Sequence, residues 1–128
     1  MAAALPIRVL IVEDNQTFRE TLRLLFDLRP EVRVVGSVAS GGEAPDACRE
    51  LDPDVVLMDY RMPGMNGAEA TRAVLEACPT ARVVCLTASI TQAEMDDLAH
   101  AGVVRCLTKD EGFDEIVAAV RDAASTPS

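Results

Sequence analysis

Basic residues are scarce in this sequence. Against 21 acidic side chains stand eleven arginines, one lysine (Lys109) and one histidine (His100), and the net charge is −9. That balance argues against a domain that grips a bare phosphate backbone, which needs a basic face. No apolar run approaches the ~20 residues that span a bilayer, so no membrane contact is expected. The opening "MAAALPIRVLIVEDN" lacks a basic start and turns acidic at once. It does not read as a signal peptide, and a cytoplasmic protein is expected. The four cysteines (Cys48, Cys78, Cys85 and Cys106) have no CxxC spacing. They are expected to be small, reduced core residues, not zinc ligands. His100 has no titratable partner close in sequence and reads as a solvated helix residue. The lone lysine is either chance or a position that wants a compact ammonium instead of a planar guanidinium.

What is present suits one folded domain. Nearly half of the 128 residues are apolar, enough for a single core. Apolar runs predict strands at Ile7–Val12, Val32–Val38, Val55–Met58, Arg82–Leu86 and Val103–Leu107. Helices are expected between and after them. Asn15–Leu28 carries Phe18, Leu22 and Leu25 on one stripe, which leaves Leu24 off it. Ser40–Glu43 (SGGE) and Thr91–Glu94 (TQAE) have the form of capping boxes. The first would open a helix to about Leu51, with Pro45 delaying its start. The second would open a helix that Gly102 stops. Gly67–Ala77 ends before Pro79, and Phe113 to about Ala123 presents Phe113, Ile116, Val117 and Val120 on one face. Five strand–helix pairs, with no internal repeat, predict an α/β three-layer sandwich around a parallel sheet. The commonest five-stranded arrangement is the flavodoxin-like (βα)5 order 2-1-3-4-5. Residues 1–124 form this domain, and 125–128 read as a frayed end or the start of a linker.

Sites in such sheets form at the carboxyl edge, where strands one and three diverge. Strand one ends in Glu13 and Asp14, strand three in Asp59, strand four in Thr87 and strand five at Lys109. Three carboxylates in one cleft repel each other unless a cation joins them. Oxygen donors without histidine or cysteine favour Mg²⁺ or a similar hard ion, which readily takes a phosphate oxygen as a further ligand. A carboxylate can also act as a nucleophile and form an acyl phosphate. Lys109 would then neutralise a phosphoryl oxygen and Thr87 would donate to another. Each residue alone has a plainer explanation. Asp14 could cap the first helix, Asp59 could be a turn residue before its Pro/Gly loop, and Met62 and Met65 should simply pack that loop. Asp14, Asp59, Thr87 and Lys109 together, at four strand ends, are a more specific signal.

The segments "VLIVEDN", "VVLMDYRMPGMNG", "VVCLTAS" and "AGVVRCLTKD" resemble the receiver domain of two-component response regulators, over roughly Ile7 to Ala123. The resemblance implies that Glu13 and Asp14 hold Mg²⁺ together with Asp59 and the backbone carbonyl of Arg61. It implies that Asp59 is the phosphoacceptor, Thr87 the switch hydroxyl and Lys109 the ion-pairing lysine. A sensor histidine kinase would be the phosphodonor, with small donors such as acetyl phosphate as substitutes. The domain would be a signalling module that catalyses at most its own phosphorylation and dephosphorylation.

"DYRMPGMNGAEATRAV" and the Lys109–Asp110 ending look most like NarL/LuxR-type transcription factors. In these a C-terminal DNA-binding domain follows, so the receiver itself need not touch nucleic acid. The chain is then either one domain of a longer regulator or a stand-alone receiver. Output would run through the fourth helix, fifth strand and fifth helix, or through the first and fifth helices, with homodimerisation a possible result. Leu24 is a candidate contact for a kinase or dimer partner, and Arg61 and Ser89 flank the site.

Two departures stand out. Cys106 replaces the aromatic switch residue of "GYLLK"-like endings, and Pro45 stands where an apolar helix residue is expected. A phosphorylation-independent pseudo-receiver is therefore the alternative. Two further rivals fit worse. An aspartyl phosphatase wants a second aspartate where Arg61 stands, and a flavodoxin wants a Ser/Thr/Gly phosphate loop where Glu13, Asp14 and Asn15 stand.

Overall fold

A computed structural model describes residues 6–125. Five strands alternate with five helices: β1 (Ile7–Val12), α1 (Gln16–Asp27), β2 (Val32–Val38), α2 (Ala44–Leu51), β3 (Val55–Met58), α3 (Gly67–Ala77), β4 (Arg82–Thr87), α4 (Gln92–Ala101), β5 (Arg105–Thr108) and α5 (Phe113–Ala124). The strands form one parallel sheet in the order β2-β1-β3-β4-β5. This is the order expected for the flavodoxin-like fold. The central strands are buried on both faces: all four residues of β3 and the last four of β1 are inaccessible, as apolar runs without alternation require. One core lies between the sheet and α1 and α5, and two smaller ones lie on the α2–α4 side. No helix among the described residues is long and apolar enough to cross a membrane.

Local chemistry explains where elements begin. Asn15, not Asp14, caps α1, its side chain accepting from the Phe18 N–H at 2.9 Å. That sets aside the capping explanation for Asp14. Thr91 and Glu94 form the expected reciprocal box at α4, which ends on Gly102 at φ 109°. Asn66 and Glu69 form a second such box at α3 that the sequence reading passed over.

The SGGE box is not made. Residues 41–43 form a 3-10 turn instead, and Ser40 bonds the Glu43 carboxylate at 2.8 Å, not the helix backbone. Pro45 has no N–H to donate and tolerates only a first helical turn. The α-helix accordingly starts at Ala44, with the proline in that turn. Strand five is also displaced, running over Arg105–Thr108 and not Val103–Leu107. Val103 and Val104 are used to leave the helix: Val103 N–H bonds Leu98 and Val104 N–H bonds Val83. Ser125 closes α5, and the rest of the expected linker, 126–128, lies outside the described residues.

Candidate functional site

The parallel sheet delivers its carboxyl ends to one edge, and the sequence-predicted residues arrive there together. Asp59 leaves β3 with its N–H on the Val12 carbonyl at 3.0 Å, which sets it beside the end of β1. Glu13 follows β1 and is held by its own N–H on Val38 at 3.1 Å. The carboxylate oxygens of Glu13, Asp14 and Asp59 lie within 4.8 Å of one another. Glu13 and Asp59 are buried, and Asp14 is exposed at the mouth.

Lys109 enters from the end of β5, its N–H bonded to the Thr87 carbonyl at 2.8 Å. Its ammonium reaches Glu13 at 2.7 Å and Asp59 at 3.5 Å. The lysine therefore pairs more closely with Glu13 than with Asp59. Burial pushes the Glu13 carboxyl up to about 7, against the lowering effect of its bonds to Lys109 and the Asn15 N–H; the negative charge of Asp59 adds to the rise. A buried carboxylate beside another, with one ammonium between them, is an electron-rich, under-compensated site. An all-oxygen donor set of this kind suits a hard divalent cation.

Thr87 is fully buried at the end of β4. Its hydroxyl donates to the Ser89 carbonyl at 3.3 Å, a long bond from a group that can rotate. Arg61 presents its N–H to Asp59 at 3.4 Å. Its guanidinium turns away and grips Glu94 of α4 with two bonds, 2.8 and 3.1 Å. Cys106 stands apart from the carboxylates, beside Cys85 on β4. His100 is exposed and remote from the edge, its ring Nδ1 at 2.7 Å from the Asp96 carbonyl. Met62 is buried and Met65 packs beside it, as expected for loop anchors.

Three contributors escaped the sequence reading. Phe18, read as a core residue, also places its ring 4.4 Å from the Lys109 ammonium; such contacts orient a cation. Gly67, read as helix punctuation, lets α3 approach the Asp59 backbone. A Cβ there would stand 2.6 Å from the Asp59 carbonyl oxygen and 2.8 Å from the Tyr60 Cα. Glu94 was seen only as a cap, yet it also fixes Arg61 at the mouth. The glycine directly after the Asn66 cap was the one available signal; the other two are long-range contacts.

Residues 9–121 match the response regulator receiver domain family. The chain belongs to that family. Among relatives of this receiver, the response regulator GacA of Pseudomonas viridiflava is 42% identical over 116 residues, which cover 90% of this chain and 54% of GacA. The transcriptional regulatory protein LnrK of Bacillus subtilis is 38% identical over 114 residues, covering 89% of this chain and 52% of LnrK. The receiver domain of the putative response regulator NarL from Mycobacterium tuberculosis superposes with a TM-score of 0.89 at 35% identity, over 95% of this chain and 98% of that one. The receiver thus spans about half the length of the curated relatives it matches. Its likeness to NarL- and LuxR-type receivers agrees with the reading of its motifs.

Proposed function

We propose that Asp59 accepts a phosphoryl group from the phosphohistidine of a sensor histidine kinase, and that this switches an output. The observation that carries the reading is the convergence of Glu13, Asp14, Asp59 and Lys109, from three strand ends, on one cleft whose floor is buried and whose mouth is open. In this reading Glu13, Asp14, Asp59 and the backbone carbonyl of Arg61 hold Mg²⁺. Bound there, the ion would neutralise the carboxylates and draw charge from a phosphoryl oxygen.

The Asp59 carboxylate attacks phosphorus, the bond from phosphorus to the donor nitrogen breaks, and the imidazole leaves. Lys109 meets the charge on the new acyl phosphate by leaving Glu13 for a phosphoryl oxygen. Thr87 exchanges its long bond to Ser89 for a second phosphoryl oxygen. Only contacts made in one state and not the other shift a two-state equilibrium, and Thr87 and Lys109 supply them. The domain would also hydrolyse its own acyl phosphate and so reset. The output would be a C-terminal DNA-binding domain, reached through a linker from residue 125, in a cytoplasmic regulator that dimerises when phosphorylated.

The test is the intact mass after incubation with Mg²⁺ and acetyl phosphate, beside Asp59→Asn. A phosphoryl adduct on the wild type alone is expected. An equal adduct on Asp59→Asn rejects Asp59 as acceptor. No adduct on the wild type, even from a phosphohistidine donor, leaves the pseudo-receiver as the better account.

A further inference from the structure

The four cysteines stand in two pairs that no spacing rule reveals. Cys48 on α2 contacts Cys78 at the end of α3. Cys85 on β4 and Cys106 on β5 are direct register partners on neighbouring parallel strands. They share one face of the sheet and one apolar cluster with Tyr60, Leu98 and Ala101. All four are free thiols. We propose that Cys85 and Cys106 form a peroxide-reactive dithiol, in which hydrogen peroxide oxidises Cys106 and Cys85 closes a disulfide between β4 and β5.

The two thiols are differently placed, and this assigns their roles. Cys106 is half-buried and lines a partly open cavity of about 180 Å³ between α4 and β5, with Met95, Ala99 and Val104 among its walls. Hydrogen peroxide is small enough to enter it. Cys85 is fully buried beneath. The thiol of Cys85 hydrogen-bonds to Cys106 and holds the Cys106 thiol below its ordinary range; the same bond and burial push Cys85 up. Peroxide oxidises the thiol it can reach, so Cys106, which lines the cavity, attacks and the buried Cys85 resolves. Cys48 differs, because burial pushes its thiol up to about 12.

The chemistry balances with peroxide as oxidant. The Cys106 sulfur attacks one peroxide oxygen and the O–O bond breaks. The departing hydroxide takes up the thiol's proton as water, leaving a sulfenic acid. Cys85 is then free of the thiolate that held its proton. Its sulfur attacks the sulfenic sulfur, the S–O bond breaks, and the hydroxyl leaves with the Cys85 proton as a second water. Two thiols are oxidised and one peroxide is reduced.

The span is suitable. Neighbouring strands lie ~4.8 Å apart, within the ~4.4–6.8 Å between Cα atoms that disulfides bridge. Side chains on parallel neighbours run side by side and do not converge, so the bond would be easily reduced, as a reversible modification needs. Cys85 shares its sheet face with Thr87, two residues on. A link there would pin the strands next to the proposed switch; that consequence rests on the phosphoacceptor reading, whereas the dithiol does not.

The test uses the reduced wild-type chain with stoichiometric hydrogen peroxide, quenched with N-ethylmaleimide and mapped by mass. We expect two thiols to be lost to alkylation and regained with dithiothreitol, and the linked peptides to contain Cys85 and Cys106. Dimedone added during the reaction should label Cys106 before the link forms. Cys106→Ala should leave Cys85 fully alkylatable once the chain is unfolded. Four free thiols after peroxide, a link that maps to Cys48 and Cys78, or links only between chains would each overturn the proposal. None of these readouts depends on phosphorylation.

Discussion

The two faces of the sheet are packed with different materials. Against α1 and α5, Ile11, Leu57 and Leu86 meet Leu22, Phe26, Ile116 and Val120. Phe26 and Phe113 add an edge-on ring contact at 5.0 Å. Against α2, α3 and α4, branched and aromatic residues such as Leu10, Val56, Val74, Tyr60 and Leu98 are joined by a larger share of small or pliable ones: Ala44, Cys48, Ala70, Met58, Met62 and Met65 in one cluster, and Ala68, Cys85, Ala101 and Cys106 in the other. Branched and aromatic side chains have few ways to rearrange, whereas methionine refits irregular gaps. The site draws on both. Phe18, from the stiff side, orients Lys109. The loop after Asp59 rests Met62 and Met65 on the compliant side, and α4 lies over Cys85 there. The proposed switch would need a fixed floor and a wall that yields, and this division of packing would suit both.

Adjacent residues of β3 put the contrast to a direct test. Leu57 is buried on the stiff face and Met58 on the compliant one, both essentially inaccessible. Truncation to alanine should cost about 4–5 kcal/mol at Leu57 but only about 2–3 kcal/mol at Met58, because the cost depends on how far the surroundings collapse into the cavity. Urea denaturation of the two variants measures the difference. Equal losses would remove the mechanical distinction between the faces.

Gly67→Ala examines where the compliant side stops yielding. The added methyl would meet the backbone of Asp59 and Tyr60, not a side-chain end that can swing aside. A loss of about 1–3 kcal/mol is expected, with slower acetyl-phosphate labelling because Asp59 is displaced. Unchanged stability and labelling would mean that even the backbone of this wall gives way.

Much of this arrangement was legible in the sequence because its signals were local. The apolar runs ended at Val12, Met58 and Leu86, and the residues that follow, Glu13, Asp59 and Thr87, are polar ones gathered at the edge. Parallel order then brings those ends together without further information. What escaped was set by contacts across the fold. Nothing near Gly67 announces the Asp59 carbonyl, Arg61 and Glu94 meet only once α4 is docked, and Cys85 finds Cys106 through strand register. The missing cap at Ser40 had a local cause in Pro45, but the box pattern obscured how the turn would be resolved.

A volume-conserving exchange should scarcely register on the compliant side. Met62→Leu is expected to cost less than about 1.5 kcal/mol, since Met65 beside it can refit. A larger loss, again by urea denaturation, would show that the loop after Asp59 is gripped as tightly as the stiff face.

The smallest effect on stability is expected on the outside of the stiff side, at Leu24. This leucine is 68% exposed on α1, off the stripe that carries Leu22 and Phe26 into the core. Leu24→Ser should change stability by no more than about 0.5 kcal/mol. Its value lies in separating two routes to Asp59. A small phosphodonor needs only the pocket, whereas a kinase needs a surface on which to dock. If α1 is that surface, Leu24→Ser should slow transfer from a phosphohistidine kinase and leave labelling by acetyl phosphate unchanged. Equal rates from both donors would free Leu24 from that role, and a parallel loss with both would place its effect inside the fold, against its exposure.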